Sequence, residues 1–329
     1  MEQYNKYLKQ IILITIILLL LYLLYRACDI SYENYANSYT KKIGIATTVK
    51  NPHQLNSWIN YHLDVGFNKL YIIFDDENEN TDYIINSNNV VIFKNDNNWK
   101  SELEKLPNMS QFINEKKEVM SRQILNFTNA RNYAKLDNID FLLHIDADEL
   151  FYPESGNLQN IFNNRYDVIN FHNFEMIPSR DNYDNCFIDG TDFKINPGIF
   201  NAYSNGKSAV KVNSDAIIAG VHDFVSDNKL FSNIGKILHY PSCNFDEYIN
   251  KYKILGKFSD RWWDSVKIPF KFHTESRDLI NDCSAKEAKG EINACENSVK
   301  SYYNKSNVLN ESYDKKDITT IDYVKNLLL

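Results

Sequence analysis

This chain of 329 residues has fewer basic than acidic residues. It contains 36 lysines and arginines and 43 aspartates and glutamates, which give a formal net charge of −7. The chain therefore has no overall positive field that would hold nucleic acid, and we expect no nucleic-acid partner. Any phosphate that binds here needs a local lysine, arginine or metal ion. Hydrophobic residues at 43% and charged residues at 24% argue against a disordered chain, collagen and a transporter with many membrane spans.

A C-x-x-C motif is absent and the five cysteines are an odd number, so the sequence gives little support for a zinc site. Cys283 and Cys295 are near enough in sequence to close a small loop as a disulfide in an oxidising compartment. Free, half-buried thiols are an equally good interpretation. The cysteines therefore do not fix the compartment.

One long apolar run is present, near the N-terminus. Residues 11–25 carry no charge, and a membrane-spanning helix needs roughly 20 apolar residues, with about 17 as the lower edge. The run ends in a poor cleavage site, so we predict an uncleaved signal anchor over residues 11–27, with a cleaved signal peptide as the alternative. Lys6 and Lys9 precede the run, which predicts a type II membrane protein with residues 1–10 in the cytosol and the rest luminal or extracytoplasmic.

The remaining chain shows no internal repeat and no long linker. We predict a polar stem over residues 28–41, one domain over 42–275, and a polar, partly helical tail over 276–329. Short β-rich runs predict strands at 42–49, 70–74, 90–93 and 141–145. Helices are predicted after Asn51, from about 119 to 136, and after Asn244, with both asparagines as N-caps. This alternation is typical of an α/β fold with a largely parallel sheet.

Two of the predicted strands end in carboxylates. Asp75 and Asp76 follow one strand, and Asp146, Asp148 and Glu149 follow another. Ligands of such sheets bind beyond the carboxyl ends of the strands. Hard oxygen ligands suit Mg²⁺ or Mn²⁺, and such an ion can neutralise a departing diphosphate. A solvated acidic turn is the plainer interpretation.

Several sequence blocks resemble a known enzyme family. They are the segments 130–134 (ARNYA) and 140–151 (DFLLHIDADELF), the Trp58, Tyr61, His62 and Gly66 pattern, and downstream the segments 205–208 (NGKS), 221–222 (VH), 238–240 (LHY) and 245–248 (FDEY) with Lys251. In this order they resemble family 2-like glycosyltransferases with the GT-A fold, a Rossmann-like mixed, mostly parallel sheet flanked by helices, and within them the family 92 type. The resemblance spans residues 42–263 and departs from the subgroup at Pro52, where a glutamate is common.

The resemblance implies a role for each matching residue. Asp146 and Asp148 would hold the metal and the ribose-diphosphate, and His239 would complete the metal site. Asp75 or Asp76 would contact the base and ribose. Arg131 and Asn132 would lie under the nucleotide, and Lys207 would contact phosphate. A solvated loop lysine is an equal alternative for Lys207, and a hydrogen-bonded structural role is common for a lone histidine. As the catalytic base we choose Asp223, next to His222, and Glu149 as the second candidate.

We therefore predict a membrane-anchored glycosyltransferase that depends on Mn²⁺ or Mg²⁺. It would move a sugar from a nucleotide-sugar, with UDP favoured, to a hydroxyl of a glycan, protein or lipid acceptor, with inversion. The alternatives are a catalytically inactive carbohydrate- or nucleotide-binding module and a glycoside hydrolase, which needs two carboxylates and no metal. A metal-dependent nuclease or phosphatase could use the same aspartates, but the net charge disfavours a nucleic-acid substrate.

Overall fold

The computed structural model describes residues 14–26, 40–154, 156–178, 183–261, 267–287, 292–307 and 314–329. The chain forms two compact units, Met1–Lys41 and Lys42–Leu329. In the first unit, residues 14–26 form helix α1. Among the described residues, no helix is both long and apolar enough to cross a membrane. Residues 11–13 and 27 of the predicted anchor, and 28–39 of the predicted stem, lie outside the described residues, so the anchor stays a prediction.

The second unit alternates strands and helices. In chain order its elements are β1 (Ile43–Val49), α2 (Leu55–Val65), β2 (Lys69–Phe74), β3 (Val90–Lys94), α3 (Asn97–Leu103), α4 (Ser110–Asn114), α5 (Val119–Leu136), β4 (Phe141–His144), β5 (Glu149–Tyr152), α6 (Leu158–Ile161), β6 (Val168–Met176), α7 (Cys186–Asp189), β7 (Asp192–Lys194), β8 (Lys207–Lys211), β9 (Ile217–Ile218), β10 (Phe224–Val225), β11 (Lys229–His239), α8 (Phe245–Leu255), α9 (Lys271–Glu287), α10 (Ile292–Asn307), β12 (Ile318–Thr320) and α11 (Tyr323–Leu328). The α/β class is confirmed.

The main sheet is parallel in its first half and mixed in its second. Its strands lie in the order β12-β7-β6-β8-β4-β1-β2-β3, and β11 pairs with both β5 and β6. Strands β3, β2, β1 and β4 are mutually parallel, β8 is antiparallel to β4 and β6, and β11 is parallel to β6. The chain moves outwards from β1 to β3 and then returns to the other side of β1 at β4. This reversal creates the crevice between β1 and β4 where ligands of open α/β sheets bind.

Apolar side chains alternate between the two faces of the sheet, and helices cover both faces. On β2, Ile72 packs into the cluster that holds Trp58 of α2, while Tyr71 and Ile73 pack into the cluster that holds Ile124 of α5. This is the period-two alternation of a strand buried on both sides. The two helices therefore fix the sheet from opposite faces.

The C-terminal segment packs onto the rest of the second unit. Strand β12 is antiparallel to β7, and α8, α9 and α10 share a third cluster that includes Tyr248 and Val299. Disulfides join Cys283 to Cys295 across 12 residues and Cys186 to Cys243 across 57. The first pairing is one of the two alternatives that the sequence left open, and the second was not predicted.

Candidate active site

A tight acidic turn connects β4 to β5 at the reversal point of the sheet. Glu149 Oε2 accepts the backbone N–H of Asp146 at 2.7 Å, and the backbone N–H of Glu149 donates to the carbonyl of Asp146 at 3.1 Å. The backbone carbonyl of Asp148 accepts the N–H of Tyr240 at 2.8 Å, just beyond β11. These bonds hold Asp146, Asp148 and Glu149 in one fixed turn.

Two lysines from distant parts of the chain neutralise the two aspartates. Lys207, the first residue of β8, places Nζ 2.6 Å from Asp146 Oδ2 and 3.5 Å from Glu149 Oε2, and its side chain is fully buried. Lys251 of α8 places Nζ 2.7 Å from Asp148 Oδ2 and donates to the carbonyl of Pro241 at 3.0 Å. Its side chain is 29% exposed.

The charges of this cluster stabilise one another. Burial alone would lower the pKa of each lysine, but the neighbouring carboxylates raise both above the ordinary value. Burial alone would likewise raise the pKa values of Asp146 and Asp148, but Lys207 and Lys251 respectively hold them below their usual range. At neutral pH the two aspartates and the two lysines are therefore all charged.

Glu149 lies beneath this charged layer and is fully buried. Its Oε1 accepts the phenolic O–H of Tyr203. Burial raises the pKa of Glu149 to about 7, and the nearby Lys207 only partly opposes this rise. Tyr203 comes from a loop whose backbone N–H groups at Asn201 and Ala202 donate to Glu175. Glu149 therefore joins the acidic turn to this loop.

Helix α5 ties the ends of three strands together. Arg122 binds Asp75, after β2, with its Nε and Nη2 each 2.8 Å from a carboxylate oxygen. One residue later, Gln123 Nε2 donates to Asp146 Oδ1 at 2.7 Å, after β4. Asn126 donates to Thr48 Oγ1, near the end of β1, at 3.1 Å. No role was predicted for these α5 side chains, because their partners lie on strands that are distant in sequence.

Helix α2 supports the turn from the other face. Trp58 Nε1 donates to the carbonyl of Glu149 at 2.7 Å, and Tyr61 Oη donates to the carbonyl of Phe151 at 2.9 Å. His62 Nε2 accepts the N–H of Phe151 at 3.2 Å. The family-like pattern of Trp58, Tyr61 and His62 thus holds strand β5, which begins at Glu149.

Two histidines of the site, His239 and His222, both pack against the ring of Tyr203. The ring of His239 is 4.9 Å from the Tyr203 ring, and its Nε2 is 3.8 Å from Asp148 Oδ2. The ring of His222 is 4.7 Å from the same tyrosine, and its Nδ1 lies 2.7 Å from the carbonyl oxygen of Gly206. Burial and the charge of Lys207 lower the pKa of His222 to about 3, so this ring is neutral at neutral pH.

The arrangement of these groups does not fit a divalent cation. Both oxygens of Asp146 are already bound, one by Lys207 and one by Gln123. An ion on Asp146 Oδ2 would have to displace the buried ammonium of Lys207, which lies 2.6 Å from that oxygen. A metal-bound histidine normally donates its second N–H, whereas Nδ1 of His239 is buried without a partner among the described residues. Within the described part of the chain, no group of three or more His, Cys, Asp or Glu side chains could hold a metal ion.

The structure brings some of the predicted residues together. Five of the predicted site residues share one cluster: Asp146, Asp148, Glu149, Lys207 and His239. Lys207 is buried against Asp146 and Glu149, so the alternative of a solvated loop lysine is wrong, and its contact with phosphate stays a prediction. Tyr203, Gln123 and the Lys251 contact with Asp148 were not predicted, although Lys251 belongs to the family-like blocks.

The other predicted residues have different partners. Arg131 donates to four backbone carbonyls, those of Lys211, Val212, Ser214 and Ala216, and so anchors the loop after β8. Asn132 lies on the exposed face of α5, and Asp76 accepts the N–H of Asn78 at 3.0 Å. Asp223 binds Lys229 at 2.8 Å and Asn170 at 2.9 Å, and its side chain is 45% exposed.

Comparison with known proteins gives a general functional class. The chain matches no family model. It is similar to two glycosyltransferase-like proteins of Arabidopsis thaliana. One is 26% identical over 170 residues, which cover 42% of this chain and 38% of the relative. The other is 25% identical over 169 residues, which cover 42% of this chain and 33% of the relative. The chain thus matches about a third of the length of these curated relatives, and the similarities support a glycosyltransferase only in general terms.

Proposed function

We propose that this protein is a glycosyltransferase that moves a sugar from a nucleotide-sugar, with UDP favoured, to a hydroxyl of a glycan, protein or lipid acceptor. The observation that carries the proposal is the charged turn of Asp146, Asp148 and Glu149 at the reversal point of the sheet, with Lys207 and Lys251 bound to it. Nucleotides bind at this edge of α/β sheets, and a departing diphosphate needs fixed positive charge there. The strand order β3-β2-β1-β4 supports a GT-A fold.

In the proposed reaction an oxygen of the acceptor hydroxyl attacks the anomeric carbon of the donor sugar. The new glycosidic bond forms as the bond between that carbon and the diphosphate oxygen breaks, so the diphosphate leaves with the electron pair. The hydroxyl proton passes to a carboxylate. Direct displacement of this kind inverts the anomeric configuration.

For the proton acceptor we keep Asp223 as the first candidate. Its side chain is 45% exposed, so an acceptor hydroxyl can reach it. Glu149 is fully buried and its two oxygens already bind Tyr203 and the N–H of Asp146. Glu149 is therefore better suited to positioning the turn than to meeting an acceptor.

Nucleotide binding tests this proposal most directly. The full chain, purified in detergent, is screened by thermal shift against UDP, GDP, CMP and UDP-sugars, in EDTA and in Mn²⁺, and active combinations are assayed for sugar transfer. A ligand that binds the folded state raises Tm by mass action. We expect one nucleotide to raise Tm, and the combined substitution Asp146→Ala with Asp148→Ala to abolish the shift. Asp82→Ala, on an exposed loop, is the control.

The same screen separates the alternatives. Folded protein that binds no nucleotide, or that hydrolyses glycosides without one, would exclude the transferase. Nucleotide binding without sugar transfer would indicate an inactive binding module. The Mn²⁺ arm tests the predicted cofactor, and protease protection of membranes that carry the full chain tests the proposed type II anchor over residues 11–27.

A further inference from the structure

Two lysine ammonium groups occupy the acidic turn where a divalent cation would otherwise neutralise the aspartates. Each aspartate carries one lysine ammonium, with Nζ to Oδ2 distances of 2.6 Å for Lys207 and Asp146 and 2.7 Å for Lys251 and Asp148. Two aspartates with two lysines have the same net charge as two aspartates with one divalent ion. The local balance that a metal would provide is thus already present in the chain.

The two lysines differ in how accessible their side chains are. The Lys207 side chain is fully buried, lies 5.6 Å from the centre of the Tyr203 ring and reaches both Asp146 and Glu149. The Lys251 side chain is 29% exposed, and its partner Asp148 is 36% exposed. An ammonium group has three N–H donors. The described contacts of Lys251 with Asp148 and the Pro241 carbonyl use two of them, which leaves one for an incoming ligand.

We propose that Lys251 binds the diphosphate of the donor directly, that Lys207 holds Asp146 in place beside it, and that the site therefore binds nucleotide without a divalent cation. This inference rests on the proposed function and names the groups that recognise the donor. Lys251 is the binding residue, because its side chain and that of its partner Asp148 are partly exposed. Lys207 is a positioning residue, because its buried ammonium acts on the ligand only through the turn.

Calorimetric titration of the full chain with UDP and GDP, in EDTA and in Mn²⁺, tests the proposal. We expect the nucleotide that binds to do so in EDTA with a Kd within about threefold of its value in Mn²⁺. Charge-assisted hydrogen bonds contribute enough that Lys251→Met should raise Kd at least about tenfold. Lys251→Arg, which keeps the charge, should recover much of the loss. Lys253→Met is the matched control, because Lys253 is exposed on the same helix.

Each outcome separates this inference from the proposed function. Binding that requires Mn²⁺ would overturn the inference and leave the transferase intact. An equal Kd for Lys251→Met and Lys253→Met would also overturn it. No binding in either buffer would remove the proposed function and the inference together. The comparison of EDTA with Mn²⁺ uses the unaltered chain, so it stays decisive even if Lys251→Met fails to fold.

Discussion

Removal of the Lys207 ammonium should be strongly destabilising. Its Nζ lies 2.6 Å from Asp146 Oδ2 and 3.5 Å from Glu149 Oε2, and the side chain is fully buried. Breaking a buried ion pair by removing one partner leaves an uncompensated charge and typically costs about 3–5 kcal/mol. Methionine keeps the length of the stem without the charge. We therefore expect Lys207→Met to lower the free energy of unfolding by about 3–5 kcal/mol at pH 8.

The loss should depend on pH in a defined direction. Lys207 lowers the pKa values of both Asp146 and Glu149, so both rise in the variant. A carboxyl group whose pKa is higher in the folded state than in the unfolded state binds extra protons in the folded state. Its contribution to stability is lost as the pH rises through the folded-state pKa. The deficit of Lys207→Met relative to the wild type should therefore be smaller at pH 5.5 than at pH 8.

Urea denaturation of the full chain at the two pH values measures both effects. Lys253→Met, an exposed change on α8, should lie within about 0.5 kcal/mol of the wild type. Addition of Asp146→Asn to Lys207→Met should recover at least about 1 kcal/mol, because contacting charges are coupled in a double-mutant cycle. A deficit below about 1 kcal/mol at pH 8, or one that does not change with pH, would refute the reasoning.

Three further changes test the surroundings of the site. Trp58→Phe removes the donor to the Glu149 carbonyl and should cost about 1 kcal/mol in urea denaturation, with nucleotide affinity reduced if the turn shifts. Replacement of Cys186 and Cys243 by serine opens a loop of 57 residues and should cost about 4 kcal/mol; unchanged stability in reducing and oxidising buffer would count against the bond. Arg131→Met should cost about 3 kcal/mol by releasing charge-assisted bonds to four carbonyls, while the nucleotide Kd measured on the folded fraction stays unchanged. A raised Kd would instead support the role under the nucleotide that the family resemblance implies.

The sequence was a good guide where the signal is local. The predicted strand at 90–93 became Val90–Lys94 and the helix at 119–136 became Val119–Leu136. Asn244 caps α8 as predicted, with its side chain accepting the N–H of Glu247. The N-cap prediction at Asn51 was wrong, because α2 begins at Leu55 after Gln54 in a left-handed conformation with φ of 55°.

The cause of that difference is a tertiary contact. Gln54 Oε1 accepts the N–H of Cys186 at 3.0 Å, and Gln54 Nε2 donates to the carbonyl of Asp184 at 3.3 Å. These partners are about 130 positions away in sequence. A capping signal of four residues cannot include these partners, so tertiary contacts overrode the local preference for an N-cap at Asn51. The family resemblance implied a mixed, mostly parallel sheet, but the individual pairings of its mixed half were not predicted, because they join strands that are distant in the chain.

The candidate site shows the same limit more sharply. A strand that ends in three carboxylates is visible in sequence, and it correctly predicted where charge gathers. Its counter-charges are not visible, since Lys207 is 61 positions from Asp146 and Lys251 is 103 positions from Asp148. An acidic cluster without visible counter-charges predicts an external cation, and for this reason we predicted Mn²⁺ or Mg²⁺ from the sequence. Once the two ammonium groups are placed, Asp146 and Asp148 are already balanced, and an incoming diphosphate binds through the N–H of Lys251 that Asp148 and Pro241 leave open. The affinity of the site for its donor then depends on that remaining N–H of Lys251, and Lys251 is where a substitution should change the affinity most.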